Sequence, residues 1–347
     1  MAPSCIARVF SGGMVAIMLA LLAACGAGSA APASTPAPPA ARPLVLTLSG
    51  EQQVGVGGSV INAAISPNAR TVTYTSSDPR VARVDASGKV DTWARGTTTI
   101  TATETGANAQ SISYTVRVLP AVLRGRFVDE TSLRSTHTGI TYPYNVYLPA
   151  GYATSAKAYP VIYMTDGQWA SNLYQIADRK GKEVILVLIF QGPDNRRMID
   201  YTETGAGAYM RFLKSEMAPL IESTYRTNGE RSFFGISAGG TLGAILLANE
   251  PVGDPYFRRY ILADGAFHLL TAQTLQQEML RHTASSRLDI SIFLSGTRQA
   301  NLPQVLALSE RYTARSYTGM TMRVAEYAVT HEEMGDPTFI EALDTYY

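Results

Sequence analysis

The chain of 347 residues has few cysteines and no excess of charge of either sign. Two cysteines cannot form a disulfide-dense scaffold. The 29 basic residues nearly balance the 28 acidic ones, and no run of Lys or Arg occurs. A nucleic-acid-binding protein usually carries a concentrated basic face, so no nucleic-acid partner is expected. At roughly 100–200 residues per domain, the length predicts two globular domains.

Also absent is an apolar run long enough to span a bilayer as a mature helix. The stretch 14–22, preceded by Arg8 as the only charge, is typical of a signal-peptide core. It ends in the letters LAAC (22–25), which resemble the lipobox of bacterial lipoproteins. The resemblance implies a signal peptide over 1–24, diacylation of the Cys25 thiol, and a membrane-anchored protein of the bacterial cell envelope, at its periplasmic or outer-membrane face. The alternative is an ordinary signal peptide with an incidental cysteine.

Residues 25–43 are rich in alanine and proline and contain almost no large apolar side chain. Such a segment buries too little surface to offset the entropy of ordering it, and its prolines favour an extended backbone. We expect a disordered tether that holds the rest of the chain away from the membrane.

Residues 44–120 contain short runs of alternating apolar and polar residues, separated by turn residues. The runs are Val60–Ile65, Thr71–Thr75, Val81–Val84, Thr98–Thr103 and Ile112–Val118. This period and spacing predict the antiparallel strands of a small all-β sandwich.

The phrases within 44–120 resemble the bacterial immunoglobulin-like (Ig-like) group 2 domain over nearly its whole length. They are VGVGGSV (54–60), YTSSDPRVARVD (74–85), SGKVDTWARGTTTITAT (87–103) and YTVRV (114–118). Trp93 is displaced from the position where relatives often carry a core tryptophan, so we expect a surface aromatic there. We interpret this Ig-like domain as a spacer, because no residue in it has ligand or catalytic character. An adhesion or glycan-contacting module is the alternative.

The remaining residues, 121–347, alternate between strand and helix patterns. Continuous apolar runs occur at 161–165, 184–190, 231–236, 260–264 and 290–295, and a final strand is expected at 322–329. Such runs predict strands that are buried on both faces of a parallel sheet. Amphipathic stretches between them, such as 208–225, predict helices. The pattern favours an α/β fold with a doubly wound, mainly parallel sheet.

The run at 231–236 leads into the letters GISAGG (235–240), which contain a G-x-S-x-G motif. In that motif a strand turns sharply into a helix, so that the serine oxygen projects above the sheet, and small neighbours are needed because the turn is crowded. Apolar residues before and after the motif supply the strand and the helix. The context predicts a nucleophilic Ser237, and a glycine-rich packing turn with an idle serine is the alternative.

Four features of 121–347 resemble the esterase family of α/β-hydrolases that includes esterase D, feruloyl esterases, trilactone siderophore esterases and the mycolyltransferases. They are VYLPAGY (146–152), VIYMTDGQW (161–169), the block 209–240 around the motif, and the late His331. The resemblance implies a lidless α/β-hydrolase domain with a serine nucleophile.

The base for such a nucleophile must be one of four histidines. A serine hydroxyl attacks an ester carbonyl only when a nearby base accepts its proton. His331 follows the final predicted strand, which is the Ser-then-His order of this fold, and is the predicted base. His268 is a minor competitor, and His137 and His282 are not favoured.

The third member of the triad remains open. In this fold an acid normally follows the strand 290–295, but the next residues, GTRQANL (296–302), contain no carboxylate. Asp264 could orient His331 from the end of the preceding strand, and we prefer it. Asn301 as a neutral acceptor and a Ser–His dyad, which some siderophore-esterase relatives suggest, are the alternatives.

The tetrahedral intermediate of acyl transfer carries negative charge and needs two N–H donors, which form an oxyanion hole. Ala238, directly after the nucleophile, supplies one by geometry. The loop DGQ (166–168) resembles the family's loop in which the residue after the glycine donates, which implies the N–H of Gln168. The neighbouring Trp169 either faces the substrate or fills the core.

Two arginines, Arg196 and Arg197, follow the strand 184–190. They either meet an anionic substrate or pair with Asp194 and Asp200, and we favour pairing. No histidine pair or carboxylate cluster has ligand spacing, and no phosphate-cradling glycine loop precedes a helix, so we expect no metal and no cofactor.

These observations predict a serine esterase that hydrolyses carboxylic esters of a small or carbohydrate-linked substrate through a Ser237 acyl-enzyme. Acyl transfer to a sugar or lipid acceptor is an alternative that uses the same nucleophile. A different class, a surface adhesion or scaffold protein with a decayed hydrolase domain, is suggested by the missing acid and the Ig-like domain.

Overall fold

The computed structural model describes residues 42–120, 122–170 and 172–347. The predicted signal peptide, the lipidation site Cys25 and nearly all of the predicted tether lie outside these residues. The described residues belong to one compact unit, 41–347, which contains both the Ig-like domain (44–120) and the α/β domain (121–347).

The Ig-like domain is built from nine short strands. They are β1 Val45–Leu46, β2 Gln52–Gly55, β3 Ser59–Ile61, β4 Ala64–Ile65, β5 Val72–Ser76, β6 Ala82–Val84, β7 Lys89–Thr92, β8 Gly96–Glu104 and β9 Ser111–Leu119. One sheet has the order β2-β9-β8-β5, a second has the order β3-β7-β6, and β1 pairs with β4. Alternate residues face inward, so Val90, Ile100 and Val116 form a fully buried core.

The expected single strand Val60–Ile65 is wrong, because it is broken between β3 and β4. Asn62 is fully buried at the break. Its Oδ1 accepts the N–H of Leu48 at 2.8 Å, and its own N–H donates to the carbonyl of Gly88 at 3.0 Å. A buried amide that satisfies neighbouring backbone groups in this way takes the chain out of the ladder.

Trp93, expected as a surface aromatic, has a half-buried side chain and lines a cavity between the two domains. β7 ends at Thr92, whose hydroxyl donates to the carbonyls of Gly55 at 2.7 Å and Gly58 at 2.9 Å. The next N–H, of Trp93, donates to the carbonyl of Val81 at 2.9 Å. These bonds fix the backbone on both sides of the indole and hold it toward the α/β domain.

The α/β domain contains an eight-stranded sheet. Its strands are β10 Arg126–Arg134, β11 Thr141–Leu148, β12 Tyr159–Met164, β13 Ile185–Ile189, β14 Thr227–Ile236, β15 Arg259–Ala263, β16 Ser291–Gly296 and β17 Thr321–Glu326. The order is β10-β11-β13-β12-β14-β15-β16-β17. β10, β11 and β13 pair antiparallel, and every pair from β13 to β17 is parallel. The mainly parallel α/β sheet expected from the apolar runs is therefore confirmed.

Eight α-helices complete the described part of this domain. They are α1 Leu173–Arg179, α2 Arg197–Asp200, α3 Ala206–Arg211, α4 Ala218–Thr224, α5 Ala238–Ala248, α6 Ala272–Ala284, α7 Leu302–Arg315 and α8 Gly335–Tyr346. A π-helical turn, Phe212–Met217, joins α3 to α4 into one continuous segment where the sequence predicts a helix over 208–225. Helix α5 is buried along its whole length, which its alanine, glycine and leucine residues permit.

The final strand is shorter than the expected 322–329. β17 is the edge strand and pairs only with β16, which ends at Gly296. The N–H of Tyr327 still donates to the carbonyl of Gly296 at 3.1 Å, but no ladder partner lies beyond it among the described residues. The chain is therefore free to turn across the carboxyl end of the sheet, where the candidate site lies.

Candidate active site

Ser237 occupies the sharp turn between β14 and α5. Its φ of 55° and ψ of −118° lie far from the common conformations of a residue with a side chain. Gly235 and Gly239 make the turn sterically possible. A Cβ on Gly235 would lie 2.3 Å from the carbonyl oxygen of Gly239, and one on Gly239 would lie 2.2 Å from Oγ1 of Thr165. The G-x-S-x-G spacing thus follows from crowding, and Ser237 stays partly exposed at the mouth of the sheet.

His331 and Asp264 meet beside this turn. Nδ1 of His331 lies 2.5 Å from Oδ2 of Asp264. His331 begins a short 3-10 helix, His331–Glu333, that a capping box of Thr330 and Glu333 holds in place. Asp264 directly follows β15, with a φ of 43° that turns its carboxylate across the end of the sheet.

Asp264 is fully buried and is held by donors other than the imidazole. Its Oδ1 accepts the N–H of Thr297 at 3.0 Å and the N–H of Asn301 at 3.2 Å. The side-chain amide of Asn301 donates to the carbonyl of Asp264 at 2.9 Å. Asn301 therefore contacts the acid. Of the three sequence alternatives, the structure brings Asp264 to His331.

The buried carboxylate changes the basicity of the ring. The hydrogen bond to Asp264 raises the pKa of His331 above its ordinary value, against the opposing effect of burial. An imidazole with a raised pKa is a stronger proton acceptor, and its charged form is stabilised. This is the electrostatic environment that a general base needs when it must carry a proton briefly.

Ser237 and His331 line the same two cavities. One, of about 200 Å³, also contains Gln168, and a more open one of about 440 Å³ also contains Ala238. The Ser237 hydroxyl makes no hydrogen bond with another residue in the described part of the chain. Hydrogen bonds of this kind are often long without a substrate and shorten when it binds. The two cavities therefore place open space next to both the Ser237 hydroxyl and the His331 imidazole.

Each of the two predicted oxyanion donors lines one of these cavities, Gln168 the smaller and Ala238 the larger. Ala238 is the first residue of α5, where backbone N–H groups lack partners within the helix. The N–H of Gln168 donates to no acceptor among the described residues. Its loop is fixed by the N–H of Gly167, which donates to the carbonyl of Ile189 at 2.8 Å, and by Oε1 of Gln168, which accepts the N–H of Gln191 at 3.0 Å.

Each of the two domains contains a stretch that matches a known family model. Residues 135–254 match the family model described as "Putative esterase", and residues 68–106 match that of the intimin immunoglobulin-like domain. Among curated proteins, none matches the chain.

Several solved structures share the architecture. An IroE-like serine hydrolase from Shewanella oneidensis has 24% identity and a TM-score of 0.54, over 64% of this chain and 79% of that one. The siderophore hydrolase EstA from Aspergillus nidulans has 16% identity and a TM-score of 0.56, over 65% and 94%. The enterobactin and salmochelin hydrolase IroE has 18% identity and a TM-score of 0.51, over 64% and 95%. At these identities the likeness establishes a shared fold.

The shared architecture gives this domain the α/β-hydrolase fold, as the sequence resemblance implies. After the family model that matches residues 135–254, the α/β domain is called the esterase domain below. Its elbow, Gly235–Gly239, lies inside the matched residues, whereas Asp264 and His331 lie beyond them.

The other three histidines make no hydrogen bond with Asp264 in the described part of the chain. Nε2 of His137 lies 2.9 Å from the hydroxyl of Ser215, and Nε2 of His282 lies 2.9 Å from the carbonyl of Arg315. His268 lines the larger cavity together with Ser237, but it has no hydrogen bond with a carboxylate in the described chain. The geometry therefore favours His331 over the competitor.

The two arginines after β13 are paired, in a way the sequence predicted only in part. Arg196 pairs with Asp200 at 3.1 Å, as expected. Arg197 forms two hydrogen bonds with the carboxylate of Asp166, at 3.0 and 2.8 Å, and contacts neither Asp194 nor Asp200. Asp166 begins the loop 166–168, which contains the predicted oxyanion donor Gln168, so this ion pair connects α2 to that loop.

The pair holds a carboxylate in a nearly dry environment. Burial raises the pKa of Asp166, and the Arg197 guanidinium partly counters that effect. The same guanidinium lies 5.2 Å from the ring centre of Trp169, whose side chain is exposed and lines the 200 Å³ cavity. Trp169 therefore forms a wall of the cavity and is not a core residue.

Replacing Arg197 with methionine is expected to lower the free energy of unfolding by about 3–5 kcal/mol, because it leaves a buried carboxylate without its partner. The pKa of Asp166 then rises further above its unfolded value. Stability is therefore lost as pH increases, and the deficit should be larger at pH 8 than at pH 5.5. Urea denaturation at both pH values measures it.

The matched control for this prediction is the double variant Asp166→Asn/Arg197→Met. Removing both charges should recover most of the lost stability, since no unpaired ion remains. Equal urea midpoints for wild type and the single variant would contradict the argument.

Among the described residues, no group of three or more His, Cys, Asp or Glu side chains is placed to hold a metal ion. No helix in the same residues is long and apolar enough to cross a bilayer.

Proposed function

We propose that this protein is an esterase that hydrolyses carboxylic esters through an acyl-enzyme on Ser237, with His331 as general base and Asp264 as the acid that orients it. The observation that carries the proposal is the 2.5 Å contact between Asp264 and His331 next to a strained, partly exposed serine. A buried acid, an imidazole and an elbow serine are the three roles of a catalytic triad.

In the first half-reaction, Oγ of Ser237 attacks the ester carbonyl carbon while Nε2 of His331 accepts the hydroxyl proton. The carbonyl oxygen becomes an oxyanion, which the N–H groups of Ala238 and Gln168 stabilise. His331 then donates its proton to the leaving alcohol. In the second half-reaction, His331 activates a water that attacks the acyl group, and Ser237 leaves with the proton returned to it.

The substrate class is a carboxylic ester of a small or carbohydrate-linked molecule. The similar solved structures are a serine hydrolase, an enterobactin and salmochelin hydrolase and a siderophore hydrolase, which supports hydrolysis over transfer to an acceptor. The decayed-hydrolase alternative was based on the absence of an acid directly after β16. The carboxylate of Asp264 lies beside His331 and argues against that alternative.

The N-terminal residues of the sequence suggest where the protein is located. We propose that the mature chain begins at a lipidated Cys25 and that the alanine- and proline-rich residues after it connect the two domains to the bacterial cell envelope. This proposed attachment is based on the signal-like stretch and the letters LAAC (22–25) of the sequence.

A fluorophosphonate probe tests the central claim. It phosphonylates a serine whose hydroxyl is activated by a neighbouring base, with loss of fluoride. We expect folded protein to gain one adduct, mapped by peptide mass spectrometry to Ser237, and heat-unfolded protein to gain none. Absence of labelling, or labelling at another serine, would overturn the mechanism. Analysis of products with and without sugar or alcohol acceptors separates hydrolysis from acyl transfer.

A further inference from the structure

The cavity next to Ser237 is lined by residues of both domains. From the esterase domain come Ser237, His331, Gln168, Trp169 and Arg197, among others. From the Ig-like domain come Pro79, Arg80, Arg83 and Trp93. A domain that served only as a spacer is not expected to contribute residues to the cavity at Ser237.

Trp93 is central to this arrangement. Besides the 200 Å³ cavity at Ser237, its side chain lines two other cavities between the domains, of about 620 Å³ and 450 Å³. The larger of these also contains Gly167 and Gln168 of the loop 166–168. One tryptophan of the Ig-like domain thus lies between the catalytic cleft and the rest of the domain interface.

Direct contacts fix the Ig-like domain in this position. Gly57, with a φ of 77°, approaches α1 so closely that a Cβ there would lie 2.0 Å from Oε1 of Gln175. Arg95 of the Ig-like domain pairs with Asp129 of β10 at 3.6 Å. Only residues 120–125 separate β9 from β10 along the chain, which limits how far the domains can move apart.

The two tryptophans give this cavity its chemical character. The guanidinium of Arg83 lies 5.2 Å from the ring centre of Trp93, and that of Arg197 lies 5.2 Å from the ring centre of Trp169. One indole comes from each domain, and both line the same space. Indole faces backed by cations favour flat aromatic groups over aliphatic ones of similar size.

The charges of the cavity distinguish one arginine from the others. Arg197 is neutralised by Asp166, and Arg80 by Asp78 at 3.0 Å. Arg83 is exposed and has no carboxylate partner among the described residues. Glu332 also lines the cavity, but on the esterase side next to His331. The Ig-like wall therefore presents a positive charge that an anionic substituent can neutralise.

We propose that the Ig-like domain forms one wall of the ester-binding cleft, where Trp93 and Arg83 hold an aromatic, negatively charged group of the substrate. The proposal rests on the proposed esterase function of Ser237 and replaces the interpretation of this domain as a spacer. Trp93 contacts the ring, Trp169 contacts it from the opposite domain, and Arg83 binds its anionic substituent.

The test uses two sets of three esters, because the aromatic group can belong to the alcohol or to the acyl part. The alcohol set is 4-carboxyphenyl acetate, phenyl acetate and cyclohexyl acetate. The acyl set is the methyl esters of terephthalic acid (monoester), benzoic acid and cyclohexanecarboxylic acid. Within each set, the three members differ only in charge and aromaticity, and intrinsic reactivity cancels when a variant is compared with wild type.

For Trp93→Ala, we expect the ratio of kcat/KM for the phenyl ester to that for the cyclohexyl ester to fall about tenfold in one of the sets, since a ring contact is worth roughly a factor of ten. Trp93→Phe should keep most of the ratio. Arg83→Gln should lower the preference for the carboxylated over the plain aromatic ester about fivefold, less so at high salt. The matched control is Arg117→Gln, an exposed arginine of β9 outside these cavities, which should leave every ratio unchanged.

Turnover by all variants with unchanged ratios in both sets would overturn the proposal, and the Ig-like domain would then be a spacer. Absence of turnover by wild type would instead contradict the esterase function. In that case, calorimetry can measure the affinities for 4-hydroxybenzoate and for cyclohexanecarboxylate. Their ratio compares an aromatic with an aliphatic carboxylate without catalysis. Equal affinities of wild type, Trp93→Ala and Arg83→Gln for both compounds, with no preference for the aromatic one, would contradict the proposed role of Trp93 and Arg83 without relying on catalysis.

Discussion

Ser237→Ala is expected to lower kcat for a short-chain nitrophenyl ester by about 10⁴-fold to 10⁶-fold, because it removes the atom that forms the acyl-enzyme. The residual rate comes from the oxyanion donors and the base acting on bound water. KM should change little, since the deleted oxygen makes no hydrogen bond within the described chain. Steady-state kinetics on purified variant protein measure both values.

The substitution should not disturb the fold. Alanine meets the same backbone strain as serine at a φ of 55°, so thermal unfolding should occur within a few degrees of wild type. Ser223→Ala, an exposed serine of α4 in the same domain, is the matched control and should retain full activity. A Ser237→Ala enzyme that kept a tenth of wild-type turnover would show that another residue is the nucleophile.

Asp264→Asn should reduce kcat by about 10³-fold to 10⁴-fold while leaving the shape of the site intact. The carboxylate accepts the proton on Nδ1 of His331, which keeps Nε2 free to accept a proton from Ser237. An asparagine amide can instead donate to Nδ1 and hold the ring in the wrong tautomer. The variant also loses the negative charge that stabilises the imidazolium in the transition state.

The pH profile gives this prediction a second readout. The base is active when neutral, so kcat/KM rises with pH through the pKa of His331. Asp264 raises that pKa through its hydrogen bond, and its replacement should therefore move the acid limb of the profile to lower pH. A limb that stays in place would mean that Asp264 does not set the basicity of the ring.

Asn301→Ala tests whether the Asn301 side chain acts only by holding Asp264 in place. Asn301 donates to Asp264 and has no hydrogen bond with His331 in the described chain, so its loss should cost less than tenfold in kcat. A larger loss than that of Asp264→Asn would instead favour the neutral-acceptor alternative.

The parallel strands of the esterase domain were predictable because each is buried on both faces. Ile185–Ile189 is fully buried at every position, and such a strand must be apolar throughout. The elbow was predictable for a related reason, since the crowding around Gly235 and Gly239 permits few other residues. β11 was missed as a strand, although alternation in the letters TYPYNVYL (141–148) carries the signal of a strand covered on one face.

Features that depend on neighbouring strands were harder to predict. The sequence offered Asp264 only as one of three alternatives, because its approach to His331 depends on a backbone turn after β15 and on the path of the chain beyond β17. The pairing of Arg197 with Asp166 joins residues 31 positions apart, whereas closer carboxylates were available in sequence. No local pattern places Trp93 against a domain that begins more than 25 residues later.

A cleft with walls from two domains also bears on inhibitor design. A compound that only reacts with Ser237 would face the same chemistry in every serine hydrolase of the cell. A compound that also extends over Trp93 and Arg83 would contact a surface that a lone α/β-hydrolase domain does not possess. Selectivity for this protein would then come from the attached domain, and the reactive group could be less reactive.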